Sequence, residues 1–171
     1  NYDINNTSFK LNKKEFNSEF LKIQRKLNNF FVEGNLKNEK NNIDSEIISY
    51  FFENKLDNFD FSNSQFSSRS NFSFDLSEKL KLKNLTISSD LKLNEFIYNN
   101  KFIKLKNYIN EYENKIKFKQ NEFKILYKNK NTKVNGSSKF YFKENLKNKI
   151  NFKIYKNKNK TSFETLVDLS N

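Results

Sequence analysis

The chain contains no cysteine, histidine, methionine, tryptophan or proline, and only two of its 171 residues are glycine. Without cysteine there is no disulfide and no thiolate metal site. Without histidine the commonest general base is missing too, so hydrolytic and acyl-transfer chemistry have little to work with, and no enzyme activity is expected. No glycine-rich phosphate loop or dinucleotide fingerprint occurs. No apolar run approaches the roughly 18 to 20 residues that a membrane-crossing helix needs, and no leader peptide is visible. The absent initiator Met reads as a processed or incomplete N-terminus. Arginine is nearly missing as well. Of 32 basic residues only Arg25 and Arg69 are not lysine, which reads as the codon bias of an AT-rich genome.

What is present is aromatic bulk and positive charge. Mean hydropathy is −0.93, which taken alone would suggest disorder, but 20 Phe and 8 Tyr supply the volume that disordered chains lack. The length suits one or two small domains. The net charge of +12 favours an anionic partner and is unevenly spread. Residues 1–98 hold 14 cations and 14 anions, whereas residues 99–160 hold 18 Lys against Glu111, Glu113, Glu122 and Glu144.

Apolar spacing of three and four at Ile47, Ile48, Phe51, Phe52, Leu56 and Phe59 predicts a helix, with Asp44 or Ser45 as its cap. Ser67-Ser68-Arg69 reads as the start of a second helix. Leu80, Leu82, Leu85 and Ile87 alternate with Lys79, Lys81 and Lys83, which predicts two strands about a turn at Lys83-Asn84. Leu91, Leu93 and Phe96-Ile97 extend the period of two. Residues 1–20 read as an extended arm. A helical stripe follows at Phe16, Phe20, Ile23, Leu27 and Phe30, then a turn at Gly34 that needs positive φ. Phe102, Leu105, Ile109, Tyr112 and Ile116 predict another helix. Residues 123–127 and 150–155 read as strands, and residues 128–139 as a basic loop. A short terminal helix is expected after residue 157, starting near Ser162.

The residues Glu53, Lys55, Leu56, Asp57, Asn58 and Phe61, followed by Ser67, Ser68 and Arg69, resemble the signature of the small-subunit ribosomal protein four family. Leu82-Lys83-Asn84 resembles its V-N-G turn, Asn94 to Ile97 the close of its domain, and Lys133 to Gly136 its K-x-x-G. The resemblance implies an α+β fold, with a small helix-helix-β-hairpin RNA-binding domain (51–98) inserted in a mainly helical domain that ends in a strand. Segment 1–50 would pack with 99–171, in which 99–157 holds a basic helix and the C-terminal strands and 158–171 is an extension. It also implies small-subunit rRNA and neighbouring small-subunit ribosomal proteins as partners, with mRNA at the entry site, and neither cofactor, membrane nor small-molecule substrate. The residues it nominates for rRNA are Lys55, Asn58, Ser67, Ser68, Arg69, Asn84 and Lys133.

The residues themselves point the same way. Arg69 offers a bidentate fork to phosphate. Lys79, Lys81 and Lys83 alternate on a strand and would track a backbone, Lys22, Arg25 and Lys26 form one stripe, and Lys139 belongs to a lysine-rich surface. Glu53, Asp57 and Asp60 share a helix face and read as solvated rather than catalytic. The composition suggests the matrix of a mitochondrion, with another AT-rich organelle or a bacterial cytoplasm as alternatives. A non-ribosomal RNA-binding module and a lysine-rich accessory subunit of a mitochondrial membrane complex are the competing functions.

Overall fold

The computed structural model describes residues 1–11, 14–43, 57–99, 114–142 and 148–169. They form one antiparallel sheet of ten strands: β1 (Tyr2–Leu11), β2 (Lys14–Lys26), β3 (Asn29–Asn42), β4 (Phe59–Asp60), β5 (Gln65–Ser77), β6 (Leu82–Asn99), β7 (Lys115–Lys128), β8 (Asn131–Tyr141), β9 (Asn148–Lys156) and β10 (Thr161–Asp168). Each strand pairs with the next along the chain, except that the short β4 docks on β6 beside the main path. Alternating side chains put two distinct surfaces on such a sheet.

No helix occurs among the described residues, so the α+β expectation is overturned. The start assigned to a second helix at Ser67-Ser68-Arg69 lies inside β5, the stripe from Phe16 to Phe30 runs through β2 and β3, and the terminal helix is β10. The sheet is continuous across residue 98, since β6 and β7 pair from Thr86–Lys128 to Asn99–Lys115. The helix placed from Ile47 to Phe59 lies outside the described residues up to 56, and Phe59 is in β4; that from Phe102 to Ile116 lies outside them up to 113, and Ile116 is in β7.

In β2 the physical cause of the misreading is a β-bulge. An extra residue converts a step of two into a step of three, so a bulged strand imitates helical spacing. Leu93 and Phe96, three apart, straddle a disturbance at Asn94. Phe118, Asn121 and Phe123 straddle one at Gln120, whose φ is +53°. In β2 the register breaks between Asn17 and Leu21, inside the supposed stripe.

Neither glycine adopts positive φ, so Gly34 is not at a turn. It lies in β3 opposite Phe72, and an added Cβ would sit 2.8 Å from the end of that ring. Gly136 lies between Phe123 and Phe152 in one row across β7, β8 and β9, and those two rings meet over it with centroids 6.0 Å apart. A ring laid over a strand glycine replaces the missing side chain. Gly136→Val would place its methyls where the Phe152 ring lies, and we expect a loss of about 1–3 kcal/mol in chemical denaturation.

Candidate functional site

The register sorts the side chains into two faces, because directly paired residues share a face. One row across the sheet reads Leu36, Ser70, Ser89, Ile125, Val134, Ile154, Phe163. The next toward one end is Asn38, Ser68, Leu91, Phe123, Gly136, Phe152, Thr165, and beyond it lie Phe66, Leu93, Asn121, Ser138, Ile150 and Val167. The intervening positions point the other way and are mostly polar: Lys37, Arg69, Asp90, Lys124, Asn135, Lys153 and Glu164 form one row that is nearly all charged, while the next, Asn35, Asn71, Ser88, Leu126, Lys133, Tyr155 and Ser162, is mostly uncharged. The sheet is therefore apolar on one side and ionic on the other.

Little within the described chain covers the apolar side. Among the described hydrophobic residues only Val32, Leu93 and Phe140 are buried, and packing between elements runs between strands that also share hydrogen bonds. The described residues form a single layer. A sheet with one apolar face ordinarily buries it against a second layer.

The two ends of the sheet differ. At one end the strands are joined by residues 27–28, 78–81, 129–130 and 157–160; at the other by 12–13, 43–64, 100–114 and 142–147. Asn129 and Lys130 both have positive φ, as a two-residue turn matched to strand twist requires. Aromatic rings gather on the apolar face near the long connections, where Phe96 stacks on Phe118 at 4.7 Å and Phe118 lies 6.0 Å from Phe140. Phe59 of β4 adds to this group at 4.9 Å from Tyr98. Toward the short turns the same face carries Phe30, Phe74 and Tyr127. From Phe118 to Tyr127 the strand advances about 30 Å at ~3.3 Å per residue.

In the long connection, the Asp60 carboxylate accepts the Ser62 backbone N–H at 2.9 Å. That bond, with a side-chain bond to Ser62, holds the Asp60 pKa below its ordinary value. A carboxyl whose folded pKa is depressed favours the folded loop above its unfolded pKa and loses that contribution as pH falls through the folded one. An NMR titration of the Asp60 carboxyl should give a midpoint below that of a free aspartate, and a midpoint at the free value would show that the turn does not form.

Buried asparagines sit where the strands bulge. Asn121, 1% exposed, donates from Nδ2 to the Leu93 carbonyl at 3.0 Å, and its Oδ1 accepts the Ser138 hydroxyl at 2.5 Å. The Asn35 Oδ1 accepts the Glu19 backbone N–H at 2.8 Å beside the β2 irregularity. Asn38 donates to the Phe66 carbonyl and accepts the Ser68 hydroxyl. An extra residue leaves backbone groups without ladder partners, and a short amide side chain supplies them.

Beside this line a cleft of about 540 Å³ crosses the strands, and the side chains lining it belong mainly to the ionic face: Ser67, Lys92, Glu122, Ser137, Lys139 and Lys149. The sheet is thus hollowed toward its charged side there.

The residues nominated from sequence scatter over this surface. Lys22 lies on the ionic face of β2, while Arg25 pairs with Phe30 on the apolar one, and the Lys26 ammonium stands 4.1 Å over the Phe31 ring. Lys55 lies outside the described residues. Asn58 is in a turn, where its carbonyl accepts the Asn99 N–H. Ser68 faces the apolar side and bonds Asn38, whereas Arg69 lies between Lys37 and Asp90 on the ionic side. Lys79 and Lys81 belong to the 78–81 turn, not to a strand track, so the expected hairpin turn at Lys83-Asn84 is displaced. Asn84 instead takes positive φ inside β6 and donates to Asp75 at 2.7 Å; Lys83 is paired opposite Asp75. Lys133 lies on the ionic face of β8 rather than in a loop. Only Ser67 and Lys139 come together, in the cleft. The sequence reading passed over Lys92 and Lys119, whose signal was their place beside apolar neighbours, and counted Lys149 within the lysine-rich surface.

Among the described residues no three His, Cys, Asp or Glu side chains gather as metal ligands. None of them forms a helix long and apolar enough to cross a membrane, a statement that does not bear on strands. Comparison with family models, with curated proteins and with solved structures gives no match.

Proposed function

We propose that the chain forms part of the wall of a transmembrane β-barrel, with its apolar face against lipid and its lysine-rich face toward an aqueous interior. The supporting observation is the two-faced single layer, hollowed on its ionic side. Barrels that cross membranes alternate apolar-out and polar-in, join their strands by short turns at one end and long loops at the other, and carry aromatic girdles at both margins of an apolar band ~25 Å tall. The ~30 Å between the aromatic margins becomes about 23 Å for a strand tilted by ~40°. In lipid the bulges tolerate no unpaired backbone groups, which is the service that Asn121 and Asn38 perform. The outer edges of β1 and β10 have no partner among the described residues, and closure would pair them with each other or with further strands. An outer membrane of a bacterium or organelle with an AT-rich genome then replaces the expected matrix, and the expectation of no membrane contact is withdrawn.

The absence of native cysteine makes the test clean. Single cysteines at Lys124, Ile125, Leu126 and Tyr127 are labelled with a polarity-sensitive fluorophore, and the chain is folded into phosphatidylcholine vesicles. Emission should be blue-shifted at 125 and 127 and water-like at 124 and 126. Equal emission at all four, or failure to enter vesicles, overturns the reading.

A second reading keeps the expected RNA partner. It is favoured by the adjacent lysines Lys119, Lys139 and Lys149, which suit a phosphate backbone. It leaves the apolar face uncovered.

A further inference from the structure

The two ends of the sheet differ in charge as well as in the length of their connections. The short turns, residues 27–28, 78–81, 129–130 and 157–160, hold five lysines against one carboxylate, Glu78. Lys26, Lys83, Lys128 and Lys156 stand within two residues of these turns, and all nine lysines are exposed. None of the nine is ion-paired among the described residues. At the other end, residues 12–13, 43–64, 100–114 and 142–147 hold seven cations and eight anions. The excess positive charge of the connections therefore sits at the short-turn end.

These turns close on their own backbone. The Asn157 Oδ1 accepts the N–H groups of Asn159 and Lys160 at 3.0 and 2.8 Å, and the Leu80 N–H donates to the Ser77 carbonyl at 2.8 Å. Two of the tips carry a leucine where the backbone conformation favours asparagine or glycine. Leu27 has φ +38° and Leu80 φ +55°, in the left-handed region that a bulky side chain enters at a steric cost. Packing does not offset that cost, since Leu27 is 96% exposed and Leu80 75%. Lys26-Leu27 and Lys79-Leu80-Lys81 thus hold an apolar side chain out beside ammonium groups, a combination suited to the boundary between lipid head groups and acyl chains.

We infer that the short-turn end rests in an anionic membrane leaflet, with Leu27 and Leu80 at the acyl boundary and the lysines on lipid phosphates. The inference rests on the barrel reading, in which Phe30, Phe74 and Tyr127 mark the margin of the apolar band nearest these turns, and it adds the lipid chemistry at that margin. Basic segments beside a membrane are drawn to negatively charged head groups, and each lysine adds to the attraction. The neutral balance of the other connections gives that end no such preference.

The test places a donor fluorophore at Asn28→Cys and folds the full chain into phosphatidylcholine vesicles containing a minority of phosphatidylglycerol. A trace of acyl-labelled acceptor lipid is either phosphatidylglycerol or phosphatidylcholine. Energy transfer to the phosphatidylglycerol acceptor should be greater by about two- to threefold, and the two should converge at high salt as the surface charges are screened. Lys79→Gln combined with Lys130→Gln and Lys158→Gln should remove most of the difference. Lys37→Gln combined with Lys124→Gln and Lys153→Gln, the same loss of charge at mid-sheet, should preserve it. A polarity-sensitive probe at Leu80→Cys should emit at shorter wavelength than in water. Equal transfer to both acceptors from an inserted chain overturns this inference and leaves the barrel standing, whereas failure to enter the vesicles overturns both. Equal loss in the two triple variants, which would mean diffuse charge, overturns the inference, as does water-like emission at position 80. Far-UV circular dichroism of each variant separates a lost preference from a lost fold.

Discussion

Leu91→Arg should destabilise the membrane-inserted chain by about 2–4 kcal/mol, the cost of a cation near the middle of the lipid face of a barrel. Leu91 lies between Ser68 and Phe123 on the apolar side, about midway along the aromatic-bounded stretch. Ser88→Arg, on the ionic side between Asn71 and Leu126, should cost less than about 0.5 kcal/mol, as surface substitutions do. Urea titration of the two variants from vesicles measures the difference directly. If the two cost the same, the apolar face is not in lipid.

The second large effect concerns Asn121. Asn121→Leu keeps the volume but strips a partner from the Leu93 carbonyl and from the Ser138 hydroxyl, both on buried residues. Each buried group left without a partner costs roughly 1–3 kcal/mol, so a loss of about 2–4 kcal/mol is expected in denaturant titration. Adding Ser138→Ala should recover little of it, because the Ser138 hydroxyl keeps the Lys139 carbonyl as an acceptor at 3.1 Å and is not stranded. A single substitution costing no more than a surface change would show that the bulge satisfies its backbone without the amide.

These effects show where the sequence could be read and where it could not. Residues 123–127 and 150–155 were legible as strands because no bulge interrupts their alternation. Leu91 and Leu93 were legible for the same reason. The segment from Phe16 to Phe30 was not, since a register break in β2 and the turn at 27–28 convert alternation into helix-like steps. Gly34 was read as a turn because glycine usually marks one; here it makes room for the Phe72 ring. Ser67-Ser68-Arg69 resembled a helix cap, yet in a strand Ser68 and Arg69 point to opposite faces. Of the nominated RNA residues that are described, which leaves out Lys55, only Ser67 and Lys139 share the cleft.

Composition by itself settled that this chain works without thiol, imidazole or disulfide, and that lysine is its chemical resource. Those are properties of residues, whatever their neighbours. Only the tertiary structure decided that Lys119, Lys139 and Lys149 stand side by side, and that the apolar residues make one continuous face. Adjacency across strands depends on register, and one extra residue at a bulge shifts every neighbour beyond it.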